Sequence, residues 1–411
     1  MSADVTTIPE IELAPRPDHV PADLVRDFNI YDVPGSAEDV QAAYAAVQQA
    51  NPDIFWTPHN GGHWVATRGD DIIAMQRDYH HFSHKHIVLP PMPEGAPRQI
   101  PLEMDPPEHA RYRRPLMQSL MPAVVSELES KVRGVAVEAI ERVLPEGECE
   151  FIEDFAKVLP IHVFLELVDL PLSDKHQLLP IAERSVRGHT AEIRLQAQQE
   201  MGGYLLDKIR ARRDNPGSDL LSKLVNVNVD GGRISEDEAV SYATLVLFGG
   251  LDTVAGMIGF IARFLAMNPG HRQQLVQRLD DEDFVKHAIE EMIRRHGLAN
   301  TCRVIAENFD YKGVQFRAGD RILPANLWVG TDDRINENPL AVDFNRKNPV
   351  HAAFGNGAHA CPGAALARRE IRIFLQEWLS RVPDFRIKPG TKPVLATGMV
   401  NGVLRLDLCW P

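Results

Sequence analysis

Apolar and polar positions recur along this chain in two periods, a long helical one and a short alternating one. Residues 1–35 show neither: they are extended and punctuated by proline. From Ser36 the pattern predicts a helix to about Ala50. The stretch IFWTPHNGGHWVATRG (54–69) then alternates apolar residues on either side of Asn60-Gly61, which predicts a β-hairpin. Pro107 to about Val143 is helical in pattern, and 160–228 carries further helical segments broken by Pro171, Pro180 and Pro216. The longest helical pattern opens at Ser235, which forms a capping box with Glu238, and runs to about Met267, where Asn268-Pro269 closes it. At about 1.5 Å per residue this helix would be about 50 Å long. It is apolar nearly all round after Tyr242, so it is expected to be buried. Short strands are expected at 303–306, 309–316, 321–323 and near the C-terminus, and a last long helix just after Cys361. The pattern gives a mainly α chain with small β-sheets, read as one domain over 1–411.

Composition narrows the class. The chain has 411 residues, 44% of them hydrophobic and 25% charged, enough apolar material for a large core. A formal net charge of -13 argues against a nucleic-acid partner. The polar, proline-rich start has neither a basic region nor an apolar one, so no signal peptide, no membrane anchor and a cytoplasmic location are expected. Cys149, Cys302, Cys361 and Cys409 are widely spaced and form no CxxC pair, which suggests neither a zinc site nor a disulfide framework. The histidine-rich YHHFSHKH (79–86) has loop spacing that does not favour a metal site, although His86 is a candidate for a pocket mouth.

Cys361 lies in FGNGAHACPG (354–363), ahead of ALARREIRIFLQEWLSRV. Pro362 suits the first helical position, which would put Cys361 at or next to the N-cap. There, unpaired N–H groups and the helix dipole lower a thiol pKa. Gly355, Gly357 and Gly363 leave little bulk above the sulfur, so a flat partner can approach closely. Three readings compete. A buried structural cysteine does not explain the glycines. A cysteine nucleophile with His359 as base requires two loop side chains to meet at i and i+2. A thiolate ligating haem iron accounts for sulfur, glycines and helix start together.

The same ten residues resemble the haem-binding signature of the cytochrome P450 family, at Phe354, Gly357, His359, Cys361 and Gly363. The resemblance implies the triangular, helical haem-thiolate fold of that family. It implies haem b with Cys361 as axial ligand, cradled by Phe354, Gly355 and Gly363. Glu291 and Arg294, at i and i+3 on one helix face, resemble the family's core-holding pair, with Phe344 and Arg346 as its partner segment. LFGGLDTV (247–254) resembles the oxygen-binding motif. Two glycines inside a helix cost about 1 kcal/mol each, and Gly249 and Gly250 are read as opening a groove for O2. Thr253 can bond the Gly249 carbonyl or turn into the groove, and Asp252 can relay protons. His109 and Arg113, at i and i+4, together with Arg303 and His359, are the implied haem-propionate ligands. Relatives carry an aspartate two residues before the arginine; here that place is Thr301.

Across nearly its whole length the chain resembles the bacterial camphor-hydroxylating branch of the family. This implies O2-dependent hydroxylation with electrons from a separate [2Fe–2S] ferredoxin and an NADH-dependent reductase. Arg111, Arg113, Arg114, Arg368 and Arg369 are candidates for a basic patch that steers an acidic ferredoxin. Leu245, Phe248, Ala299, Met399 and Val400 are the implied pocket walls. The stretch 87–104 holds no tyrosine to bond a ketone, a loss of about 1 kcal/mol or more for camphor. A small hydrophobic terpenoid or norisoprenoid is therefore expected, with camphor as the alternative substrate. A peroxide-driven haem peroxygenase and a non-catalytic haem- or ligand-binding protein remain as readings from other classes.

Overall fold

The computed structural model describes residues 12–121, 126 and 128–411. Its first long helix begins later than the pattern suggests, at Val40 rather than Ser36, and ends at Ala50. Asp39 explains the shift: its carboxylate accepts the Ala42 N–H at 3.0 Å and fixes the cap there. The expected hairpin forms, with Ile54–Thr57 antiparallel to His63–Ala66. Asn60 and Gly61 take φ 55° and 86° in the connecting turn. This hairpin seeds a five-stranded sheet in the order Ile54–Thr57, His63–Ala66, Arg321–Pro324, Arg303–Ile305, Phe82–Ser83. The expected strand at 309–316 is instead a hairpin of its own, Phe309–Tyr311 against Val314–Phe316, because Lys312-Gly313 take φ 53° and 85°. Among the described residues between Pro107 and Val143 are the helices Glu108–Ser119 and Glu129–Val143.

The long apolar helix starts as its sequence dictates. The Ser235 hydroxyl accepts the Glu238 N–H at 3.1 Å, and the Glu238 carboxylate accepts the Ser235 N–H at 2.7 Å. It is not one helix, however, but two, Glu236–Leu251 and Thr253–Met267, with Asp252 between them at φ -120°, ψ -33°. At the break the Thr253 hydroxyl, not a backbone N–H, bonds the Gly249 carbonyl, at 3.0 Å. The break also marks a change of surroundings. Tyr242, Leu247, Phe248 and Leu251 pack into a cluster with helices Lys175–Arg187 and Ala191–Asp214. Ile258, Phe260, Ile261 and Leu265 belong to the larger core around Trp328 and Trp378. The run Glu236–Met267 is long and apolar enough to span a membrane by composition, but 72% of its most apolar window is buried against the rest of the protein.

Helix Glu282–Arg295 presents Glu291 and Arg294 to the interior. Arg294 Nε and Nη2 donate to the two Glu291 oxygens at 2.7 and 2.8 Å, and Arg346 Nε donates to the same carboxylate at 3.0 Å. The Arg294 fork also binds the carbonyls of Gly330, Pro339 and Ala341. A buried ion pair is kept only where such hydrogen bonds satisfy its remaining groups, and removing one partner costs about 3–5 kcal/mol. Phe344 is buried beside it. The final helix, Ala364–Arg381, packs against Glu129–Val143 and carries the cysteine loop at its head.

Candidate active site

Phe354–Gly363 folds back so that the Cys361 N–H donates to the Phe354 carbonyl at 2.7 Å. Gly355 and Gly357 sit at φ 69° and 68°, and a side chain on Gly357 would meet the Gln76 carbonyl at 2.9 Å. The chain is extended at Ala360 (ψ 138°) to make this bond, which delays the helix. Its cap is Gly363 and its first residue Ala364, so Pro362 lies in the preceding turn and not at the expected first helical position. Burial is the largest influence on the Cys361 thiol and raises its pKa. The Gly363 N–H, the Arg113 and Arg368 guanidiniums and the Ala364 N–H pull the other way. Cys361 nevertheless has accessible surface.

Beside it lies a buried cluster of groups that all carry or accept positive charge. The His84 and His359 rings stack at 3.4 Å between centroids, and His109 packs on His359 at 4.1 Å. Arg303 is buried next to them, and Arg113 donates to the Ala360 carbonyl. Burial first, then the charges of their neighbours, push His109 down to about 4, His359 down to about 2 and His84 further still. Burial also lowers Arg303, to about 10. Both ring nitrogens of His84, Nε2 of His109 and His359, and Nε of Arg303 are buried without a hydrogen-bond partner. The backbone at Leu102 and Met104 assists His84 and His359 only weakly. Thr301, in the place of an aspartate, accepts Arg303 Nη1 on its hydroxyl at 2.8 Å, so no charge is neutralised there. His84 was not among the residues expected at the site. It was hidden in YHHFSHKH, where histidines of different roles stand side by side: His81 pairs with Asp78, while His86 is exposed.

The broken helix behaves differently on its two glycines. A side chain on Gly249 would meet nothing within 4 Å, whereas one on Gly250 would lie 2.3 Å from the Phe164 ring. Gly250 thus serves close packing, and Gly249 faces open space. Leu245, Gly249 and Thr253, at i, i+4 and i+8, form a stripe with accessible surface, Gly249 the most exposed of the three. Phe248 is off that stripe, buried in the cluster behind. Ala299 and Val400 pair in an isolated antiparallel bridge and are half-buried, while Met399 is buried. Asp252 forms a buried ion pair with Arg187 at 2.7 Å, each side chain at most 6% exposed. Arg187 ends helix Lys175–Arg187, and no local pattern marked it. A narrow cleft lined by Asp252, Arg187, Glu183 and Lys157 continues outward, with Lys157 and Glu183 paired at 2.6 Å. Gly402 must lack a side chain here, since a Cβ would meet Arg187 Nη2 at 2.6 Å.

The expected basic patch is largely neutralised by its own neighbours. Arg111 pairs with Asp230, Arg368 with Glu290 and Arg369 with Glu129. Arg114 is exposed and makes no ion pair among the described residues.

Residues 161–406 match the family model for cytochrome P450. Probable cytochrome P450 127A1 of Sinorhizobium fredii is 34% identical over 97% of this chain and 98% of its own length. The chain belongs to the cytochrome P450 family and is a P450 monooxygenase. Its structural neighbours include two members of the CYP101 group. The crystal structure of CYP101J2 superposes with a TM-score of 0.88 at 36% identity, covering 97% of this chain and 100% of that one. That of CYP101C1 gives 0.87 at 36%, covering 96% and 100%. The family's cofactor is haem with a cysteine thiolate as axial ligand, and its reaction takes O2, an organic substrate and electrons from a redox partner.

The residues present fit that cofactor. Haem bears two carboxylates, and the buried cluster of His84, His109, Arg303 and His359 offers poorly satisfied nitrogens to which a dianion would bind. Binding it would reverse the downward pressure on the three histidines. A cation at the Cys361 sulfur would likewise hold the thiolate against the burial that now raises its pKa.

Proposed function

We propose that this P450 hydroxylates a small hydrophobic terpenoid of the norisoprenoid type, using a [2Fe–2S] ferredoxin and an NADH-dependent reductase. Haem bound here supplies O2 activation, driven from the thiolate side. Cys361 binds the iron, and the N–H groups of Gly363 and Ala364 stabilise negative charge on its sulfur. His84, His109, Arg113, Arg303 and His359 bind the two carboxylates. Gly249 keeps the space above free, and the Thr253 hydroxyl, poised on the Gly249 carbonyl, holds a proton at Oγ1. Asp252 carries protons inward along the cleft from Lys157 and Glu183, with Arg187 holding its carboxylate in place. The substrate lies against Leu245, Ala299 and Val400. The whole chain acts as one domain.

The observation that carries this reading is Cys361, with accessible surface, beside a buried cluster of histidine and arginine nitrogens that lack a hydrogen-bond partner. The substrate class is supported by the absence of a tyrosine donor from the loop sequence. Residues 87–104 hold no tyrosine, and Tyr31, which does reach that loop, gives its hydroxyl proton to the Leu89 carbonyl at 2.6 Å. Titrating the ferric protein with ionones and camphor, while following the haem spin state, tests it. A complete shift to high spin with an ionone and a weak one with camphor is expected. A tight, complete shift with camphor would overturn the substrate assignment.

A further inference from the structure

Arg368 stands four residues into the cysteine helix, and its guanidinium lies over the Phe354 ring, 4.5 Å from the centroid. Phe354 is the residue whose carbonyl accepts the Cys361 N–H. Nη1 of Arg368 also reaches back to the Ala364 carbonyl at 3.4 Å, and the N–H of that residue faces the sulfur. The cation is thus seated on both segments that carry Cys361.

Its position is fixed from behind. Arg368 Nε and Nη2 form a fork on the two oxygens of Glu290, the second bond at 3.0 Å. Glu290 also pairs with His351 Nε2 at 3.3 Å, while His351 Nδ1 accepts the Ala353 N–H next to Phe354. Burial raises the Glu290 pKa, but the bonds from His351 and Arg368 outweigh it and hold the carboxyl at about 2. Glu290 is therefore a fixed anion, and Arg368 a fixed cation nearer to the cysteine. Arg369 and Arg372, on the same helix, turn to Glu129 instead.

We propose that Arg368 is a positioning residue for the electron-transfer step: held by Glu290 and His351, it sets the affinity of the Cys361-bound metal for the electron delivered by the redox partner. The inference rests on Cys361 being the iron ligand. One electron enters from the partner and no bond is made or broken. A nearby cation favours the state that carries the added negative charge, and the anion behind it moderates that effect.

The test is an equilibrium reductive titration of the haem-loaded protein with redox dyes, without any partner protein. Arg368→Gln is expected to shift the reduction equilibrium toward the oxidised form by about fivefold, the scale of one partly screened charge. Glu290→Gln is expected to shift it the other way, the double variant to return near the parent, and Arg368→Lys to retain most of the effect. Two single variants that move the equilibrium in the same direction, or not at all, overturn the proposal. So does an unchanged equilibrium accompanied by a raised KM for the partner, which would make Arg368 a docking residue. The reduced, carbon monoxide-bound parent reports separately on the ligand. Its red-shifted thiolate band is expected, and its absence would overturn the Cys361 assignment together with this inference.

Discussion

The two sides of the site each bury a carboxyl group, and they do so in opposite ways. On the broken-helix side Asp252 is paired with Arg187 at 2.7 Å. On the cysteine side Glu370, buried in helix Ala364–Arg381, pairs with no cation among the described residues and has one oxygen without a partner, and burial pushes it up to about 8. The first carboxyl is held against a buried guanidinium and lines a narrow cleft. The second is protonated at neutral pH and packs as a polar piece of core. The sides differ in construction as well. The cysteine loop is shaped by backbone, with left-handed glycines and N–H groups around a sulfur. The broken helix is shaped by side chains that come from elsewhere in the chain.

Neutralising each carboxyl therefore has opposite consequences. Glu370 has a folded pKa raised above its ordinary 4.5, so its contribution is intact below that pH and is lost as pH rises toward 8. Glu370→Gln should match the parent near pH 4 and gain on it through neutrality, by about 3 kcal/mol at pH 7. Asp252→Asn should instead lose about 3 kcal/mol by leaving Arg187 buried without its counter-charge, and turnover should fall about a hundredfold while substrate still binds. Denaturant unfolding across pH, with steady-state turnover, checks both; a loss of stability in Glu370→Gln at pH 7 would erase the contrast.

A smaller effect separates the two glycines of the broken helix. Gly250→Ala drives a methyl into the Phe164 ring and should cost about 1–3 kcal/mol. Gly249→Ala meets open space and should leave stability unchanged or slightly higher, while slowing carbon monoxide binding to the reduced protein. Equal losses of stability would show that neither position faces a recess.

What the sequence made legible follows from how local each feature is. The Ser235 capping box, the hairpin at Asn60-Gly61 and the glycines around Cys361 are all determined within a few residues, and each was readable. So was the Glu291–Arg294 pair, since i and i+3 on a helix meet by geometry. The break at Asp252 was not readable, because its partner Arg187 lies on another helix and only folding brings them together. The split between Gly249 and Gly250 depends on Phe164, again remote in the chain. His84 was missed because composition cannot say which histidine of a run turns inward. Pro362 misled because its fit to a helix start is real, but the Cys361–Phe354 hydrogen bond holds the chain extended just before it. The arginine patch is weakened for the same kind of reason: Arg111, Arg368 and Arg369 each found a carboxylate distant in sequence.

The claim on which all of this depends is that the Cys361 sulfur is bound to the haem iron. X-ray absorption at the iron edge of the ferric, haem-loaded protein measures that bond directly. The account predicts one sulfur scatterer in the first coordination shell of the parent, absent in Cys361→Ser. A shell of nitrogen and oxygen alone in the parent, or a sulfur that survives in Cys361→Ser, would contradict it.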